Sequence, residues 1–115
     1  MNISLSGINI YTKNPAKSFE FYKGLGWEVT NKGDLNTDWF GAEFKFNNLT
    51  VWIWNNKDGS HNIKNNFVIH CDDIFETYNE LKSKGYAVPE PKLQFYGDYE
   101  MELFDDDENL LLFLS

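Results

Sequence analysis

Two histidines and one cysteine are the residues of this sequence whose side chains most readily do chemistry. His61 and His70 have no carboxylate partner at the spacing of a metal site, so they do not define a catalytic metal centre. His70 could act as a general base, although an isolated histidine is more often a hydrogen-bonded polar residue. Cys71 lies in an apolar segment, and we expect its thiol to be buried beneath a helix and therefore inert.

Aromatic side chains make up 17% of the residues and offer a second kind of chemistry, because they can stack on a ligand. Trp52 and Trp54 alternate along one predicted strand, so they share a face. Trp39 follows a loop over 34–38 and could form a lid or simply begin a strand. Tyr96 lies in a turn that could contact a ligand or only connect two strands. Three glutamates on late strands could meet a cationic ligand, although protection of edge strands explains them more simply: Glu43, Glu100 and Glu102.

The net charge of −8 limits the partners of this 115-residue chain, since it disfavours nucleic acid and anionic membranes. One domain over residues 1–115 is expected at this length. The single cysteine excludes an internal disulfide, which fits a reducing cytoplasm. No apolar run approaches the roughly 20 residues that span a membrane. The acidic run Asp105–Glu108 lacks the spacing of an EF-hand and is expected to be a solvated turn.

An internal repeat organises the chain. A shift of 59 residues places Ile8–Tyr11 on Phe67–His70 and Gly26–Val29 on Gly85–Val88, with the chemical class kept at nearly every structural position. The polar composition of the segment between the copies predicts a linker. The repeat therefore predicts module one over about 1–55, a linker over about 56–65 and module two over about 66–115.

Each copy shows the same order of elements. A β-rich run leads into a helix, whose start is marked by Asn14 with Pro15 in copy one and by Asp73 in copy two. Lysine followed by glycine ends each helix. The predicted strands are 3–12, 27–30, 39–46 and 49–54 in copy one, and 66–71, 86–88, 99–104 and 110–114 in copy two. The pattern predicts an α+β fold of two tandem βαβββ modules around a cleft.

Two stretches carry a resemblance to a known family. Residues 8–27 contain Ser18 followed by Phe21 and Tyr22 and then a Leu-Gly-Trp turn, and residues 96–112 contain a Gly-Asp turn before an acidic turn and an apolar strand. With the repeat, they resemble the vicinal oxygen chelate superfamily, which includes glyoxalase I, extradiol dioxygenases and bleomycin resistance proteins. The resemblance covers essentially the whole chain and implies a curved mixed sheet around a cleft.

The resemblance also implies four metal-ligand positions, and this sequence departs from the family at all of them. They fall on Gly7, on the Val51–Trp54 strand, on Asn66 and on Leu112, where the family's metal enzymes carry His, Gln or Glu. We therefore expect no metal, no other cofactor and no catalytic residue. The chain is similar to the metal-free bleomycin resistance branch, which implies a homodimer that sequesters a small molecule without converting it.

Strand alternation predicts which residues face the cleft. If Gly7 does, so do Asn9 and Tyr11. The shape of the side chains favours Trp52 and Trp54 in the cleft, with the branched residues Val51 and Ile53 beneath the helix. A repeat alignment that pairs Asn48 with Asn109 predicts the opposite arrangement. The predicted ligand-binding residues are Asn9, Tyr11, Trp39, Trp52, Trp54, Asn66, His70, Tyr96 and Leu112.

The sequence is compatible with three functions. The first is a metal-independent binding protein that stacks an aromatic or cationic compound on tryptophan and tyrosine. The second is an enzyme of the same fold, glyoxalase-like or otherwise, that moves a proton with His70, Tyr11 or a glutamate and no metal. The third is a non-catalytic dimeric module whose aromatic residues only fill the core.

Overall fold

The computed structural model describes residues 1–37 and 39–115, and Asp38, the last residue of the predicted 34–38 loop, lies outside this part. The chain packs as two compact units, Met1–Ile63 and Lys64–Ser115. In its described residues each unit holds one helix and one four-stranded mixed sheet, so the predicted α+β class and the tandem βαβββ plan are confirmed. Neither helix in the described residues has the length and apolar character that a membrane span requires.

The first unit contains one helix and four strands in its described residues: β1 (Ile8–Thr12), α1 (Pro15–Gly24), β2 (Glu28–Lys32), β3 (Phe40–Phe46) and β4 (Leu49–Asn55). Its sheet has the order β1-β4-β3-β2, with β1 parallel to β4 and the other pairs antiparallel, so the last strand in sequence lies inside the sheet. The helix begins where the Asn14 side chain accepts a hydrogen bond from the Lys17 backbone N–H and Pro15 takes the first position.

The second unit repeats this plan with a much shorter edge strand, β6. Its elements are β5 (Asn66–His70), α2 (Ile74–Ser83), β6 (Lys92–Leu93), β7 (Tyr99–Phe104) and β8 (Leu110–Leu114). The sheet has the order β5-β8-β7-β6, and the Asp73 side chain caps α2 by accepting hydrogen bonds from the Phe75 and Glu76 N–H groups.

Two predicted strands differ from the observed ones by more than two residues. The first strand begins at Ile8 rather than at residue 3. The predicted strand 86–88 is wrong, because the Tyr86 N–H bonds to the Leu81 carbonyl and the Val88 N–H bonds to the Tyr86 carbonyl. Prolines at 89 and 91 remove two further donors, so the edge strand forms only at Lys92–Leu93.

One face of each sheet is buried in the core. Val51 and Ile53 are fully buried in the first unit. Their counterparts in the second unit are Leu111, which is fully buried, and Phe113, which is 6% exposed. Trp52 and Trp54 lie on the opposite face, so the assignment made from side-chain shape is confirmed and the one from the Asn48–Asn109 alignment is wrong. Cys71 is buried as expected, and desolvation raises the pKa of its thiol.

The acidic turn between β7 and β8 is built around a buried pair rather than being fully solvated as predicted. Asn109 is completely buried and donates from its backbone N–H and its side-chain Nδ2 to the two carboxylate oxygens of Asp105, each at 2.8 Å. Its Oδ1 accepts from the Asn65 backbone N–H at 2.7 Å. The acidic residue that opens the turn thus has a structural role.

Replacing Asn109 by Ala should lower the free energy of unfolding by about 2–3 kcal/mol, because the buried Asp105 Oδ2 loses the Asn109 Nδ2 donor and the Asn65 N–H loses its acceptor. Urea unfolding followed by far-ultraviolet circular dichroism measures the change. The exposed neighbour Asp106 gives the control, since Asp106→Ala should shift stability by no more than about 0.5 kcal/mol. Equal effects of the two variants would contradict the assignment.

Candidate functional site

An open groove of about 440 Å³ lies in the first unit, at the ends of β1 and β4 and beside the segment that follows β4. This volume is within the range of small-molecule sites. The lining residues combine aromatic rings with a few polar groups: Asn9, Tyr11, Trp39, Trp54, Asn55, Asp58, Ser60 and His61.

Two tryptophans form the first aromatic surface of the groove. The rings of Trp39 and Trp54 are stacked, with centroids 4.9 Å apart and planes at 12°. Trp54 Nε1 donates to Asn9 Oδ1 at 2.7 Å, and Phe40 packs edge-on against the Trp54 ring at 5.5 Å. Trp39 nevertheless remains 73% exposed. A hydrogen-bonded, stacked indole pair thus presents a flat face to a ligand without needing to reorganise.

A second ring pair joins β1 to the segment after β4. Tyr11 and His61 stack with centroids 4.1 Å apart and planes at 11°. Asn56, which is 5% exposed, holds His61 in place: its Nδ2 donates to the His61 carbonyl at 2.8 Å and its Oδ1 accepts from the His61 N–H at 3.1 Å. The Asn56 N–H in turn bonds to the Thr12 carbonyl at 2.7 Å. One buried amide therefore anchors this wall of the groove.

Asp58 brings a negative charge to the groove. Its Oδ1 accepts from the Ser60 backbone N–H at 3.1 Å. Hydrogen bonds from the Ser60 backbone and hydroxyl hold the pKa of the Asp58 carboxyl below its ordinary value, so the group is ionised at neutral pH. Aromatic faces beside a carboxylate form a favourable setting for a planar ring that carries positive charge.

The groove unites four of the nine predicted ligand-binding residues: Asn9, Tyr11, Trp39 and Trp54. Trp52 lies on the same face, two residues before Trp54, but does not line the groove. Sequence reasoning missed Asn55, Asp58, Ser60 and His61, and it assigned the last three to the linker. The Asp-Gly-Ser run there does signal an Asx turn, but no local signal reveals that the segment folds back on Tyr11.

The other four predicted residues lie in the second unit. Asn66 and His70 share one face of β5 with Leu112 of β8, since Val68 between them pairs with Leu112. His70 Nε2 is 3.5 Å from Asp72 Oδ1, which gives the histidine a partner that the sequence did not indicate, although both side chains are largely exposed. Their contact with a ligand stays a prediction.

Tyr96 belongs to the turn before β7 and is half exposed. It donates a hydrogen bond to Glu100, which raises the pKa of Tyr96 to about 12. The phenol therefore stays protonated at physiological pH and is a poor general base there. Its contact with a ligand is likewise untested.

The strand registers identify the fourth position at which the resemblance implied a metal ligand. In the second unit, Phe67 follows the implied position Asn66 and pairs with Leu111, and the other implied position, Leu112, is the residue after Leu111. In the first unit, Ile8 follows the implied position Gly7 and pairs with Val51. The residue after Val51 is Trp52, which is therefore the equivalent of Leu112. Glycine, tryptophan and leucine side chains supply no metal ligand, and the asparagine offers one weak oxygen. Nor does the described part of the chain contain a group of three or more His, Cys, Asp or Glu side chains that could hold a metal ion.

Comparison with solved structures shows that this chain shares its fold with several proteins of known structure. A bleomycin-binding protein in complex with bleomycin superposes with a TM-score of 0.70 at 19% identity over 98% of both chains. The bleomycin resistance determinant of transposon Tn5 gives 0.71 at 20% identity, also over 98% of both chains. Lactoylglutathione lyase from Agrobacterium tumefaciens gives 0.76 at 15% identity, over 98% of this chain and 94% of the lyase.

The family follows from the sequence model that matches the chain. Residues 4–113 match the model of the Glyoxalase/Bleomycin resistance protein/Dioxygenase superfamily, and the chain belongs to that superfamily. No curated protein sequence matches it significantly. The resemblance inferred from the repeat and the motifs is thereby confirmed.

Replacing Asn56 by Ala should release the segment that carries His61, because two hydrogen bonds from a buried amide are lost. We expect amide hydrogen exchange over residues 57–61 to accelerate by at least about tenfold, which corresponds to a local loss of about 1.4 kcal/mol. Asn62 is exposed and close by, so Asn62→Ala is the matched control. Unchanged protection in the Asn56 variant would show that this residue does not anchor the segment.

Protein purified without chelator should contain zinc, nickel, iron and manganese far below one equivalent, because the four implied positions offer a single weak donor. Elemental analysis by mass spectrometry measures this, with a sample dialysed against EDTA as the baseline. One equivalent of any of these metals per chain would overturn the expectation.

Proposed function

We propose that this protein is a metal-independent binding protein that sequesters a planar aromatic or cationic small molecule in the groove of the first unit. The observation that carries the proposal is the stacked Trp39–Trp54 pair in one groove with the ionised Asp58. The likeness to a bleomycin-binding protein supports this class of function.

The chemistry of the groove favours binding over conversion. Tyr11 and His61 are stacked on each other, and the Trp54 N–H is already bonded to Asn9, so these groups present surfaces rather than a proton-transfer pair. A ring placed on the indole pair gains stacking energy of about 0.5–1.5 kcal/mol beyond the area it buries. A positive charge on that ring adds a cation–π contribution and attraction to Asp58.

The net charge of the chain also favours a cationic ligand. The chain carries 18 acidic and 10 basic side chains, for a net charge of −8. A net negative charge raises the local concentration of cations and the rate at which they associate.

The homodimer and the cytoplasmic location belong to the same proposal. Val68 and Phe104 are 64% and 53% exposed on one face of the second sheet, where a partner subunit would remove apolar area from water. Light scattering coupled to size-exclusion chromatography distinguishes a dimer from a monomer, and a monomer at micromolar concentration would contradict this part of the proposal.

Titration with bleomycin, with the planar cation 9-aminoacridine and with its neutral analogue acridone tests the binding. All four tryptophans belong to the first unit, so their emission reports on the unit that holds the groove. We expect saturable quenching by at least one cationic compound and weaker binding of acridone. Trp39→Ala should weaken binding by about two- to tenfold, which corresponds to the loss of one stacking contact.

Phe95→Ala is the matched control for Trp39→Ala, because it removes an aromatic ring that is 99% exposed in the second unit. Asp58→Asn should reduce the preference for 9-aminoacridine over acridone while leaving the binding of acridone unchanged. The proposal fails if no compound gives a saturable change, or if a bound compound is recovered chemically altered.

A further inference from the structure

The indole of Trp52 spans the open face of the first sheet. Its Nε1 donates to Glu43 Oε1 of β3 at 2.8 Å. On the other side of β4, a Cβ atom at Gly7 would lie only 2.7 Å from Trp52 Cζ3 and 2.3 Å from the Thr50 carbonyl oxygen. The absence of a side chain at residue 7 therefore lets the ring extend across β4, from β3 to the segment that precedes β1.

A chain of hydrogen bonds fixes this ring. Glu43 Oε2 accepts from Thr30 Oγ1 at 2.8 Å, so the carboxylate is held from β2 while it holds the indole on β4. A carboxylate with both oxygens engaged has little rotational freedom, and a bond from an indole N–H to a charged acceptor is stronger than a neutral one. Trp52 is thus a preorganised surface and not a mobile side chain.

The Trp52 surface lies next to a residue that lines the groove, on the same face of β4. Trp52 and Trp54 are two residues apart on the same face of β4, which separates their Cα atoms by about 7 Å. Asn9 joins the two positions, since it is the cross-strand partner of Trp52 and its Oδ1 accepts the N–H of Trp54. The Trp52 ring is partly exposed, and so is available for a second contact.

We propose that Trp52 is a second stacking platform for the ligand, that Glu43 and Gly7 are the residues that position it, and that the site selects compounds with two or more fused or linked rings over single-ring cations. This inference rests on the proposed function and adds a size class to it. A multi-ring compound contacts both the Trp54 and the Trp52 surfaces, whereas a single ring contacts only one of them.

The test compares two cationic probes of different size, 9-aminoacridine with three fused rings and protonated 4-aminopyridine with one. Glu43→Leu removes the acceptor of the Trp52 N–H, whereas Glu43→Gln retains an oxygen acceptor. We expect Glu43→Leu to weaken 9-aminoacridine by about two- to tenfold, the equivalent of one stacking contact, and to leave 4-aminopyridine unchanged. Glu43→Gln should restore the wild-type affinity.

A spectroscopic measurement separates positioning from general loss of structure. The indole N–H resonance of Trp52 should shift and exchange faster with solvent in Glu43→Leu, but not in Glu43→Gln, while the resonance of Trp54 stays in place. If Glu43→Leu fails to fold, Trp52→Ala takes its place, with Trp52→Phe as the variant that keeps a ring.

The outcomes distinguish the two proposals. If the wild-type protein binds neither probe, both the proposed function and this inference fail. If it binds 9-aminoacridine and the variants at Glu43 or Trp52 alter both probes equally or neither, only the second platform is refuted. A selective loss of the larger probe that is restored by Gln supports it.

Discussion

Strand β4 is the element on which the first unit depends, because it pairs with β1 on one side and with β3 on the other. Its alternation buries Val51 and Ile53 in the core and leaves Trp52 and Trp54 on the open face. A slip of one residue in its register would exchange the two sets and place indoles in the core. The stability of the core and the composition of the ligand surface are therefore consequences of the same pairing.

The two units carry different surfaces on one backbone plan. The open face of the first sheet presents indoles whose N–H groups are bonded to Glu43 and Asn9. The corresponding face of the second sheet presents aliphatic side chains of β8, with glutamates on β7: Leu110, Leu112 and Leu114, and Glu100 and Glu102. The fold is shared across a superfamily with varied activities, so the chemistry must be sought in such differences between side chains.

Period-two alternation and helix caps made most of the fold predictable from the sequence. Asn14 and Asp73 cap the two helices as expected, and Trp52 and Trp54 share the predicted face. The two main failures have different causes, one local and one that depends on a distant partner. The strand expected at 86–88 does not form because its N–H groups bond locally and prolines follow. The role of His61 was hidden because it depends on the buried amide of Asn56 and on Tyr11, fifty residues earlier.

Gly7 limits which substitutions this chain can accept. A histidine introduced there would bring its Cβ within 2.3 Å of the Thr50 carbonyl oxygen and 2.7 Å of the Trp52 ring, so both the strand backbone and the indole would have to move first. A metal ligand cannot be introduced at this position while β4 and Trp52 keep their present arrangement. Single substitutions therefore have more room to refine the aromatic surface than to place a metal ligand at residue 7.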